Sequence, residues 1–145
     1  MNQPAPQPSP CTCFRMRKLT RLMSQRYDRR LANAGINVNQ YSILRRIGRK
    51  TRTVSELARE LGMDRTTLSR DLKPLLARGW VEQVAGEDAR QRPLRVAAAG
   101  VRALKQAMPL WRDAQDEIET LLGSQRTLRL HAQLDEAIRR LDHKA

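Results

Sequence analysis

The residues best equipped for chemistry form a polar, basic run, Arg65-Thr66-Thr67-Leu68-Ser69-Arg70. A guanidinium can pair in a bidentate manner with a guanine edge, and Thr or Ser hydroxyls reach phosphate oxygens or a thymine methyl. Lys73, just beyond, adds a cation suited to phosphate. The competing reading of this run is a solvated polar face. Arg90 and Arg92 stand in the polar stretch Ala85 to Arg92. Such arginines suit a narrow minor groove, where negative potential concentrates, or else simply decorate a hairpin tip. Cys11 and Cys13 are the only thiols, and Arg15, Arg17 and Lys18 follow them closely. That setting favours the thiolate, so an oxidant-sensing switch stands beside the plainer reading of ordinary reduced thiols. A structural disulfide is not expected in a reducing cytosol. Zinc usually takes four N or S ligands, and two cysteines with His131 or His143 make a poor set. No metal and no cofactor are expected.

These side chains need elements to present them. Thr53 with Glu56 three residues on has the capping-box pattern, and Asp64 is a good N-cap. Two short helices are therefore predicted, one over Val54–Leu61 and one opening after Asp64, with a break at Gly62-Met63. That is a helix-turn-helix, whose second helix enters a major groove and whose N-terminus also favours phosphate. The second helix is expected to continue through Leu72, Leu75 and Leu76 to Gly79, with a bend or a locally loosened turn near Arg70 caused by Pro74. Trp80 to Val84 and Leu94 to Val96 alternate as paired strands do, so a two-stranded wing is predicted.

Upstream, four of the seven prolines lie in residues 1–10, which predicts an extended or disordered tail. Phe14, Leu19, Leu22, Met23, Tyr27 and Leu31 then recur with helical spacing, up to Gly35. Tyr41, Leu44 and Ile47 mark the inner face of a further helix, with Arg45, Arg46, Arg49 and Lys50 outward. Downstream, Val101, Leu104, Met108, Trp111, Gln115, Ile118 and Leu122 form a heptad-like seam. Pro109 within it is expected to kink this helix. Trp111 and Met108 are candidates for lining a ligand pocket, or for core. After Gly123-Ser124, Leu134, Ile138 and Leu141 share a face, with His131 near that stripe. Such long stripes exceed what a small winged lobe can cover, and an isologous dimer is the simplest closure.

The net charge is +13. Residues 1–44 carry net +6, residues 45–102 net +7, and residues 103–145 are neutral, so the excess follows the helix-turn-helix and its approach. That balance points to a polyanionic partner. Aromatics make up only 3% of the chain, which disfavours base-stacking recognition of RNA or single strands. Neither a phosphate-binding loop nor a nucleophile motif is present, so no enzyme is expected. Neither a membrane-spanning run nor a signal peptide is read, and the expected location is the cytoplasm, on the nucleoid.

The segments Thr53-Val-Ser-Glu-Leu-Ala, Leu61-Gly-Met-Asp-Arg-Thr-Thr-Leu-Ser-Arg, Leu75-Leu-Ala-Arg-Gly-Trp-Val-Glu and Asp88-Ala-Arg90 through Gly100 resemble the MarR family of bacterial transcriptional regulators. The resemblance runs from about residue 14 to residue 142. It implies a mainly α fold, with a winged helix-turn-helix lobe, a two-stranded wing and a helical dimerisation region built from both termini. The expected divisions are residues 1–10 as tail, 11–36 as N-terminal dimerisation helix, 37–97 as DNA-binding lobe and 98–145 as C-terminal dimerisation helices. It further implies a triangular homodimer that binds an inverted-repeat operator in double-stranded DNA, usually as a repressor released by a small-molecule inducer or an oxidant. DNA contacts then fall to Arg65, Thr66, Thr67, Ser69, Arg70, Lys73, Arg90 and Arg92, with Asp88 orienting the wing arginine. The family's Thr after the second wing strand is Ala97 here, so the next helix lacks a side-chain cap. A non-specific architectural DNA-binding protein, or an RNA-binding one, is the alternative.

Overall fold

The computed structural model describes residues 10–88 and 90–142; the side chain of Arg49, His143 and the tail before Pro10 lie outside the described residues. Helix α1 spans Thr12–Leu31 and passes through a 3-10 turn at Ala32–Ala34 into Gly35, whose φ of 66° a side chain would resist. Helix α2 covers Val38–Arg49, opened by a reciprocal capping box between Asn37 and Gln40. Helix α3 covers Val54–Leu61 and α4 covers Arg65–Ala77. Strands β1, Val81–Gln83, and β2, Leu94–Val96, pair antiparallel with Val81 opposite Val96. Helix α5 runs over Ala98–Leu122 and α6 over Ser124–Asp142.

The predicted helix starts follow from their caps. The Thr53 hydroxyl accepts from the Glu56 N–H at 3.2 Å, while the Glu56 carboxylate accepts from the Thr53 N–H at 2.8 Å. Hydrogen bonding from the Thr53 backbone N–H, and then from its side chain, holds the Glu56 carboxyl below its ordinary range. Gly62, at φ 62°, turns the chain from α3 toward α4. Both α4 and α5 continue through their prolines, Pro74 and Pro109, as single helices. The strands are shorter than the alternation suggested. They gain an outer neighbour, because Arg52 pairs with Leu94 on the other edge of β2.

Leu31, Ile36, Tyr41, Ile43, Leu44, Ile47, Leu57, Leu68, Leu72, Leu75, Val81 and Leu94 form one buried core, joined by Ala107 of α5. Three side chains on the expected stripes are exposed in the single protomer. Leu76 is exposed, since α4 stops at Ala77 and its last turn carries that side chain past the core edge. Val101 is also exposed, and the buried line of α5 is Gly100, Ala103, Ala107, Ala114 and Ile118. Small side chains let neighbouring backbones approach closely, so the large seam residues Leu104, Met108 and Trp111 end up half-buried beside that line. His131, expected near a packed stripe, is exposed on α6.

Helix α1 lies against α5, tied by Arg26 and Arg30, which reach Glu117 at 2.5 and 3.1 Å. Hydrogen bonds from Arg30 and then Arg26 hold the Glu117 carboxyl below the usual carboxylate range. Trp111 of α5 is stacked between Tyr27 of α1 and Tyr41 of α2, with ring centroids 6.3 and 5.9 Å away. The Tyr27 hydroxyl donates to Gln115. Among the described residues no helix is long and apolar enough to cross a membrane.

Candidate nucleic-acid interface

The first turn of α4 is built by Asp64. Its carboxylate accepts from the Thr67 N–H at 2.8 Å and from the Thr67 hydroxyl at 2.6 Å. Those bonds from the Thr67 side chain and backbone depress the Asp64 pKa. Thr67 is thus half-buried with its hydroxyl already committed. Arg65, Thr66, Ser69, Arg70 and Lys73 are exposed, and among the described residues their side chains make no hydrogen bond or ion pair. Leu68, Leu72 and Leu75 anchor the opposite face with full burial. The helix therefore presents an exposed row of donors that carries Arg65, Arg70 and Lys73.

Hydrogen bonds link described residues on the two sides of the wing tip. The Asp88 side chain accepts from the Arg90 backbone N–H at 3.0 Å, and its carbonyl accepts from the Gln91 N–H at 2.9 Å. Asp88 thus shapes the turn that carries Arg90 by holding its main chain. At the base, Val84 donates to the Pro93 carbonyl at 2.9 Å, and Arg95 of β2 grips Glu82 of β1 at 2.6 Å.

Arg65, Arg90 and Arg92 converge on one open cleft of about 470 Å³, lined also by Thr53, Val54, Ser55, Gln83 and Gln91. Ser69, Arg70 and Lys73 do not line it and lie farther along α4. The start of α3 went unremarked as part of this surface, although the Thr53–Glu56 capping pattern was the available signal. A helix start presents backbone N–H groups and a positive dipole end, both favourable to phosphate. The basic opening of α4, the capped opening of α3 and a basic wing thus share one concave face whose cations are Arg65, Arg90 and Arg92.

Cys11 and Cys13 lie far from this face in sequence, at the start of α1, and both are exposed. Cys11 is the N-cap of α1, and its sulfur accepts from the Phe14 N–H at 3.4 Å. Two further clefts flank α2. One of about 350 Å³ is lined by Tyr41, Arg45, Arg46 and Trp111 among others. The other, of about 480 Å³, is lined by Arg45, Gly48, Lys50, Arg95, Lys105 and Met108 among others.

A helix-turn-helix followed by a wing, carried between long terminal helices, defines a winged helix-turn-helix protein. The MarR family profile matches residues 34–91. The chain is 38% identical to the Mycobacterium tuberculosis transcriptional regulator MosR, solved in complex with DNA; the match covers 89% of this chain and 98% of that one, with a TM-score of 0.73. A MarR variant from Escherichia coli, complexed with operator DNA, shares the fold at a TM-score of 0.77 and 23% identity, over 85% of this chain and 90% of that one. So does the transcriptional repressor CouR bound to a 23-mer DNA duplex, at 0.84 and 20% identity, over 94% and 99%. Comparison with curated proteins gives no match. The chain belongs to the MarR family of winged helix-turn-helix transcriptional regulators, a family of regulators and not of enzymes.

Proposed function

We propose that this regulator is a repressor that binds an inverted-repeat operator as a homodimer, with α4 in the major groove and the wing in the adjacent minor groove. The observation that carries this reading is the convergence of Arg65, Arg90 and Arg92 on one cleft, together with the exposed side chains of Thr66, Ser69, Arg70 and Lys73 on the same helix as Arg65. MosR, at 38% identity, was solved in complex with DNA, which supports DNA binding by this chain. Thr67 serves the interface through the cap of α4, with its backbone N–H already bonded to Asp64.

The dimer reading rests on apolar surface. Phe14 and Leu22 of α1, Leu121 of α5, and Leu128, Ile138 and Leu141 of α6 are all exposed. Large side chains left bare on three terminal helices suit a second copy of the same chain. On this reading residues 11–36 and 98–145 supply the dimer region, and residues 37–97 the DNA-binding lobe.

Release is assigned to a small ligand or to thiol oxidation. The clefts along α2, one lined by Trp111 and the other by Met108, lie where α5 meets the lobe and suit an inducer. Exposed Cys11 and Cys13 suit an oxidant. Peroxide would take two electrons from two thiols, forming a disulfide between subunits and two waters.

Competition binding tests the central claim. The protein should prefer a palindromic duplex, enriched by the protein from a randomised pool, over bulk DNA by ~10³-fold or more. Equal affinity for all duplexes would favour the architectural reading, and preference for RNA the RNA-binding one.

A further inference from the structure

The segment between α2 and α3 carries Arg52, which no periodic pattern singles out. Its side chain is only 17% exposed, although it sits in a connecting loop. The guanidinium donates to the carbonyls of Arg46 and Lys50, the second at 3.0 Å, at the end of α2 where carbonyls lack helical partners. Its Nε lies 2.6 Å from Glu60 of α3, and Glu60 faces Arg46 of α2 at 3.8 Å. The backbone of Arg52 pairs with Leu94 in both directions. Leu94 donates to the Arg52 carbonyl at 2.7 Å, and Arg52 donates to the Leu94 carbonyl at 3.4 Å.

Leu94 is the root of the wing. It is fully buried, opens β2, and faces Gln83 in the last strand pair before the tip. Arg90 and Arg92 stand four and two residues before it. Each wing strand is three residues long, and a ribbon of two such strands has little rigidity of its own. Arg52 supplies the missing third edge, and that edge is fixed because the guanidinium is pinned to two helices at once.

We propose that Arg52 is a positioning residue that sets the wing relative to α4, and so decides whether Arg90 and Arg92 reach DNA while α4 occupies its groove. The two helices Arg52 grips are the one that precedes the helix-turn-helix and the first helix of the motif. The strand edge it grips belongs to the wing. It therefore locks the two reading elements to a common frame. Arginine suits the task because its planar fork serves two carbonyls and one carboxylate together, which a lysine ammonium does not reproduce. The inference rests on the reading of Arg90 as a DNA contact.

Double-mutant cycles on the full-length protein test it, using a duplex enriched by the wild-type protein and fluorescence anisotropy at fixed salt. Arg90→Ala should weaken binding about tenfold in the wild-type background. In an Arg52→Met background the same change should cost about twofold or less, because the wing no longer delivers the side chain. Arg65→Ala should cost the same in both backgrounds, which a general loosening of the lobe would not allow. Arg52→Lys keeps a cation for Glu60 and serves if Arg52→Met fails to fold; it should show the same selective loss, smaller in size. An equal cost of Arg90→Ala in all backgrounds overturns the role of Arg52 and leaves the DNA-contact reading intact. A costless Arg90→Ala in the wild-type background overturns both. Equal shrinkage of the Arg65 and Arg90 effects overturns the positioning role in favour of a plain stability role.

Discussion

Two glycines in helices should answer the same substitution with opposite signs. Gly48 lies inside α2 and Gly100 inside the first turns of α5. On helix propensity alone, Gly→Ala gains up to about 1 kcal/mol at either place. A Cβ on Gly48 would stand 3.7 Å from Leu104 Cδ1 and 3.9 Å from Val96 Cγ2, ordinary contact distances. Gly48→Ala should therefore stabilise by about 0.5–1 kcal/mol, the lower figure allowing for its place near the helix end. A Cβ on Gly100 would stand 2.2 Å from the Trp80 carbonyl oxygen and 2.7 Å from Val96 Cγ1. That is roughly 1.2 Å short of the 3.4 Å where ordinary contact begins, and the obstacle is backbone. The same carbonyl accepts from the Ala97 N–H at 2.9 Å, so moving it away also loosens the join between the wing and α5. Overpacking of this kind costs about 1–3 kcal/mol, and the lost hydrogen bond about 1 more. Net of propensity, Gly100→Ala should destabilise by about 2 kcal/mol. With a urea m-value of about 2 kcal/mol/M, the midpoint falls by about 1 M for Gly100→Ala and rises by about a quarter to a half of that for Gly48→Ala. Both variants must be unfolded at one protomer concentration, since self-association shifts apparent stability. Equal shifts of the same sign would refute the packing argument at Gly100.

Ala97 sits at the N-cap of α5 with φ −75°, ψ 167° and no side-chain hydrogen bond, so Ala97→Ser should add about 1 kcal/mol, read as a higher urea midpoint. Glu56, Asp64 and Glu117 all have folded pKa values below their ordinary 4.5, 3.8 and 4.5. Their contribution is complete above the ordinary values and disappears as pH falls through the folded ones, so stability should decline below about pH 4.5. Replacing Glu117 with Gln should flatten part of that decline in a urea-midpoint series against pH. Thr67→Val removes a capping hydroxyl and should lower stability more than DNA affinity, whereas Ser69→Ala should do the reverse when thermal unfolding and operator binding are compared. Cys11→Ser and Cys13→Ser should each abolish peroxide-induced release from DNA in an anisotropy assay; retained release in both would remove the cysteines from the mechanism.

What could be read along the chain was local. Thr53 with Glu56, Asp64 before a polar turn, and glycines at Gly35 and Gly62 announce helix boundaries because each acts within three or four residues. The wing was legible for the same reason, through alternation on both sides of a polar loop. The equally local box of Asn37 and Gln40 carried its signal too and was passed over. The buried line of α5 was not legible, because alanine contributes little to a hydrophobic pattern. Its burial is decided by how closely α1 and the lobe approach, and the conspicuous Leu104, Met108 and Trp111 drew attention one position aside. Arg52 was invisible for a different reason. Its partners are two backbone carbonyls, a carboxylate eight residues on and a strand 42 residues away, and no spacing rule encodes them.

That non-local wiring bears on how the two halves of the molecule communicate. The first half of helix α5 packs on the lobe: Gly100 rests on the Trp80 carbonyl and Ala107 joins the buried core. Its second half is clasped to α1 through Glu117. Between them Trp111 is stacked on Tyr27 of α1 and Tyr41 of α2, so three helices meet at one aromatic plate. A packed stack shifts as a unit, since close-packed side chains transmit displacement and do not absorb it. On the proposed release reading, a change that moves α1 against α5, whether a modified thiol at the start of α1 or a ligand beside Trp111, is expected to move α2 as well. Arg52 then carries that displacement from the end of α2 to Leu94 at the root of the wing. On this reasoning the residue that aims the wing is also the last link between the terminal helices and DNA.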